Sequence, residues 1–138
     1  VRVYENLGCQ RHRYVETTGG WRSVHDNRAQ KSHYCHNRKG GTAGDTMSLD
    51  FDGPRLGIGF GRAPDGGKAQ VFVDDERVGR ISFTSASDRT RFGFLREFTG
   101  LGQGRHTMRL VVNPPKGDRR IALVDYFRLT GRAYPIES

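Results

Sequence analysis

Residues 44–83 read GDTMSLDFDGPRLGIGFGRAPDGGKAQVFVDDERVGRISF, and their alternation decides the fold. Met47, Leu49 and Phe51 share one parity, with Ser48 and Asp50 between them. Leu56, Ile58 and Phe60 repeat the pattern against Gly57 and Gly59; Ala69, Val71 and Val73 repeat it again; Ile81 and Phe83 begin a fourth run. Period-two alternation in short windows bounded by Asp, Gly and Pro marks half-buried antiparallel strands. No helical period competes. The stretch predicts an all-β antiparallel sandwich, with a hairpin turn at residues 74–76.

Outward from this centre, the flanks carry weaker copies of the same signal. Towards the amino terminus, residues 1–7, 13–17, 21–24 and 33–35 read as short strands separated by polar turns. Towards the carboxyl terminus, Phe92, Phe94 and Phe98 mark one strand, and His106, Met108, Leu110 and Val112 alternate through another. Pro114 and Pro115 stop that strand, because proline cannot donate to a ladder. Residues 120–129 form the last. The expected organisation is one domain over residues 1–131, with residues 132–138 as a tail or linker. The expected core is Leu49, Phe51, Ile58, Phe60, Val71, Val73, Ile81, Met108 and Leu110.

Composition agrees with many strands and tight turns: 19 glycines in 138 residues. Lys plus Arg number 23 against 15 Asp plus Glu, a formal net charge of +8. Such a balance favours anionic partners: an acidic glycan or cell-wall polymer, nucleic acid or a membrane surface. Nucleic acid is supported by charge alone, with no helix-turn-helix, RNP-like or zinc-finger context. No apolar run reaches membrane-spanning length. The chain begins at Val1 without a signal-like segment and reads as a processed or excised domain.

Catalytic signatures are missing from the sequence. There is no G-x-S-x-G elbow. The Gly-rich residues 59–67 lack the lysine–serine/threonine ending of a phosphate loop. Asp50 and Glu76 could be nominated as a carboxylate pair, but Asp50 lies opposite the core parity and nothing suggests a shared cleft. The reading is a protein without enzymatic activity of its own.

Trp21, GDTMSLDF, KAQVFVDDERVG, the Thr-Gly-Leu turn at residues 99–101, GRHTMRLVV and ALVDYFRL occur in an order that resembles the galactose-binding-domain-like jelly rolls. These are accessory modules of secreted bacterial glycoside hydrolases and SGNH-type esterases. The order is also similar to carbohydrate-binding modules of the family 6 and 35 kind, over residues 14–129. The resemblance implies a secreted, non-catalytic carbohydrate-binding module that targets an appended enzyme or particle to a polysaccharide. The rival reading is an interaction domain packed on a neighbouring catalytic domain or in a phage-tail-like assembly.

Cys9 and Cys35 are the only cysteines. In the exported chain that the resemblance implies, they are expected to pair, which would stabilise the fold by roughly 3 to 4 kcal/mol. The alternative is a zinc site, for which Cys9-x-x-His12 and His33-x-Cys35-His36 supply ligand types. The resemblance also implies an aspartate of the last strand, Asp125, as a calcium ligand together with an acidic residue of the first strands, for which Glu16 is the candidate. Trp21 is implied as a packing residue.

Residues 10–39 hold the densest positive charge, interleaved with Tyr14, Trp21 and Tyr34. An aromatic platform beside a few placed polar groups suits sugars, and arginine forks add anion recognition. Arg28, Tyr34 and His36 are therefore the first candidates for ligand contact. The loops around Arg62 and Asp65 and around Arg89 come second.

Overall fold

The computed structural model describes residues 2–5, 14–19, 21–25, 33–36, 45–114 and 121–136, with backbone alone for 2–5, 22–25, 33–34 and 36. Eleven strands are formed among them: β1 (Arg2–Glu5), β2 (Val15–Thr18), β3 (Arg22–His25), β4 (His33–His36), β5 (Thr46–Asp52), β6 (Leu56–Arg62), β7 (Lys68–Val73), β8 (Glu76–Ser82), β9 (Arg91–Phe98), β10 (Arg105–Val112) and β11 (Leu123–Leu129). They make two antiparallel sheets. One runs β2-β5-β10-β7-β8; the other runs β3-β4-β11-β6-β9, with β1 sharing the β4 side of β11.

Strand parity sets the core. Met47, Leu49 and Phe51 of β5 pair with Leu110, Met108 and His106 of β10, and all three apolar residues of β5 are fully buried. Every residue expected in the core is buried. Removing one of the larger side chains leaves a cavity that the two sheets cannot close, at about 2–5 kcal/mol. Trp21 is buried as well, its Nε1 donating to the Thr18 carbonyl at 3.0 Å.

Strand β6 departs from simple alternation, because its outward glycines are buried too. A Cβ on Gly59 would stand 2.1 to 2.4 Å from three carbons of the Tyr126 ring, and one on Gly61 would stand 2.6 Å from Phe92. The glycines let rings from the neighbouring strands lie against the sheet. The β7–β8 hairpin turns at Asp74 and Asp75, both at positive φ (53° and 65°), the geometry of a turn matched to strand twist.

Residues 132–134, read from the sequence as the start of a tail or linker, lie along β5 beyond the end of β2. Asp52 N donates to Arg132 O and Tyr134 N donates to Asp50 O, each at 2.8 Å, and Ala133 is buried opposite Phe51.

Candidate functional site

The outward parity of β5 and β10 builds a polar surface on the five-stranded sheet. Antiparallel pairing puts Thr107 opposite Asp50 and Arg105 opposite Asp52. Both Asp50 oxygens are used: Oδ2 accepts from Arg105 Nη2 at 2.8 Å and Oδ1 from Thr107 Oγ1 at 2.8 Å. The Arg105 guanidinium lies 4.1 Å from the Tyr134 ring centroid, and that of Arg132 lies 4.6 Å from it. Tyr134 donates its hydroxyl to Asp52 Oδ1 at 2.6 Å, so ring and phenol are both fixed.

These groups wall a groove of about 250 Å³, lined by Tyr14, Glu16, Ser48, Leu49, Asp50, Arg105, Tyr134, Pro135 and Ile136. Its floor is the β2–β5 edge and one wall is the carboxyl-terminal segment. Two tyrosines line it, Tyr14 packed partly against the core and Tyr134 beneath the arginines. Glu16, Ser48 and the Asp50–Arg105 pair supply acceptors and donors beside them. Vicinal hydroxyls of a sugar are both donors and acceptors, so they can exchange hydrogen bonds with such a pair while the C–H face covers a ring.

Of the residues singled out by sequence, Tyr14 and Glu16 line this groove; the candidates for ligand contact are not among its lining residues. Arg28 and Cys9 lie outside the described residues, as does His12. Tyr34 and His36 stand in β4, opposite Val24 and Arg22 of β3, and their side chains lie outside the described set. Cys35 is fully buried and is not a free thiol. Arg62, Asp65 and Arg89 gather at the end of the sandwich opposite to Asp52. Arg62 closes β6 and Arg89 lies exposed in the loop before β9. Asp65 lies in the β6–β7 turn, its carbonyl accepting from Ile121 N at 3.2 Å.

The calcium pair does not assemble. Glu16 belongs to β2 and faces outward with its partner Ser48. Asp125 is buried in β11 of the other sheet, at the bulge between Val124 and Tyr126. Sheets pack about 10 Å apart, too far for two carboxylates to share one ion. Among the described residues no group of three or more His, Cys, Asp or Glu could hold a metal.

Sequence reading names Tyr14 and Glu16 but not the rest of the groove. Tyr134 was assigned to the tail, and Arg105 and Thr107 are the outward partners of a strand read only for its inward residues. The one available signal was that Asp50 and Arg105 both lie opposite the core parity.

The fold is a two-sheet antiparallel β-sandwich, shared with solved carbohydrate-binding modules. A family 35 carbohydrate-binding module from an environmental isolate superposes with a TM-score of 0.67 at 16% identity, over 100% of this chain and 99% of that one. A family 35 module from Clostridium thermocellum gives 0.62 at 16% identity, over 93% and 97%. A family two carbohydrate esterase from Cellvibrio japonicus gives 0.65 at 15% identity; it covers 99% of this chain, which spans only 36% of the esterase. At these identities the likeness is one of fold. No protein-family model matches the sequence, and no curated protein is significantly similar to it. No helix is long and apolar enough to cross a membrane among the described residues.

Proposed function

We propose that this chain is a non-catalytic carbohydrate-binding module, and that the groove between Tyr14 and Tyr134 receives the sugar. The observation that carries the reading is the Asp50–Arg105–Tyr134 arrangement: a fixed ring beside a carboxylate–guanidinium pair on an open sheet face. The polymer is an acidic or cell-wall glycan, in keeping with the net charge of +8. The module acts outside the cell and docks an appended enzyme or particle onto that polymer. Modules of this fold that stand alone, and domains that cover about a third of an esterase chain, both support it.

A glycan array with a salt series tests it. Arg105→Ala and Tyr134→Ala are expected to weaken the best saccharide at least tenfold. Stacking should persist at high salt while the charged contribution fades over a Debye length of about 10 Å. If wild-type protein binds nothing on every array, the chain is instead an interaction domain that packs on a neighbouring catalytic domain or within a surface assembly.

A further inference from the structure

At the far end of the sandwich, the β6–β9 register sets Arg62 directly opposite Arg91. Two like charges facing each other across an antiparallel pair repel. The Arg62 guanidinium rests 4.5 Å from the Phe94 ring centroid and 5.7 Å from that of Phe60. Those rings stack on each other at 5.6 Å, and Phe60 belongs to the core. Arg62 is therefore half-buried and held in place from below. Its Nε is covered and makes no hydrogen bond. Ring faces attract the cation but satisfy none of its N–H donors.

Among the described residues no carboxylate answers this charge. The ion pairs there are those of Arg105, His106 and Arg132, and none of them includes Arg62 or Arg91. The surrounding loop adds a third cation. Ala63 N donates to Phe83 O and Ser85 N to Ala63 O, each at 2.9 Å, which ties residues 83–85 to the end of β6. Ser85 and Ser87 hydroxyls then accept from Ser87 N and Arg89 N at 3.1 and 3.2 Å. The loop backbone carrying Arg89 is thus hydrogen-bonded at successive steps.

We propose that Arg62 and Arg91, with Arg89 beside them, form a binding site for an oxyanion, and that its source is the carboxylate of an acidic saccharide. A guanidinium stripped of part of its water and lacking an internal partner gains most from an external anion, and its planar fork matches the two oxygens of a carboxylate. The site lies apart from the Tyr14–Tyr134 groove, in the other sheet. It rests on the glycan reading only for the source of the anion.

The test is titration of the isotope-labelled protein with sodium galacturonate, sodium sulfate and sodium phosphate, each compared with sodium chloride at equal ionic strength. Galacturonate should move the Arg62 and Arg91 amides and raise the melting temperature above the chloride control. Arg91→Gln, at an exposed position, should lower the affinity at least tenfold. Without added anion the variant should be at least as stable as wild type, because a repulsion is removed. Arg62→Gln should also lose the response. A response to sulfate or phosphate but not to galacturonate would overturn the saccharide source. No response beyond chloride, or full affinity in Arg91→Gln, would overturn the site. Because monomeric anions are used and local amides are read, the result does not depend on whether a polysaccharide binds the groove.

Discussion

His106 Nδ1 lies 2.6 Å from Asp74 Oδ2, and this contact ties strand β10 to the β7–β8 turn. The other ring nitrogen, Nε2, lies 2.8 Å from the Gly102 carbonyl. Both oxygens can only accept when Asp74 is ionised, so both ring nitrogens donate and the imidazolium is the form that satisfies the site. Asp74 Oδ1 also accepts from Thr107 N at 2.9 Å, which pins an aspartate held at positive φ.

Stability should therefore depend on pH in both directions. The hydrogen bond to Asp74, helped by that to Gly102, raises the His106 pKa above its ordinary value. Its contribution is complete below the unfolded value of about 6.5 and is lost as pH rises through the higher folded value. The hydrogen bond from His106, and then that from Thr107 N, lowers the Asp74 pKa. That contribution is present above about 3.9 and is lost as pH falls through the lower folded value. The melting temperature should be highest between these limits, and His106→Gln should flatten its alkaline fall. An unchanged alkaline limb in the variant would assign that fall to another group.

Phe60 is 5% exposed, stacks on Phe94 and meets Phe83 edge to face at 5.7 Å. Phe60→Ala should cost about 3–5 kcal/mol in denaturant unfolding. An unchanged midpoint would mean that the β6 parity is wrong.

Gly59 and Tyr126 should be energetically coupled. Gly59→Ala puts a methyl group where the Tyr126 ring lies and should destabilise by about 1–3 kcal/mol. In a double-mutant cycle, Tyr126→Ala should relieve most of that penalty. Simple additivity would show that the ring does not rest on the glycine.

The two cysteines should form one bond between Cys9 and Cys35. Intact mass with alkylation, before and after reductant, reads this directly. Two thiols that alkylate without reductant, or a bound zinc ion, would contradict it.

The sandwich was legible because alternation is local. Met47, Leu49 and Phe51 declare their face within a few residues, and the buried faces of β7 and β10 follow in the same way. The groove was not legible, because it depends on pairing between distant segments. Only the β5–β10 register brings Arg105 to Asp50, and only the return of residues 132–134 along β5 brings Tyr134 to both. Tyr134 had no alternating neighbours to mark it as part of a sheet. Arg62 was named for its loop, but its opposition to Arg91 follows from a bulge beside Phe60 that sequence spacing does not encode.

The central claim is that the Tyr14–Tyr134 groove holds a saccharide. Amide shift mapping with the best saccharide from the array tests it most directly. The account predicts the largest changes at residues 48–50, at Arg105 and at residues 133–134, with Tyr134→Ala abolishing them. A saccharide that binds the protein yet leaves those amides unmoved would contradict it.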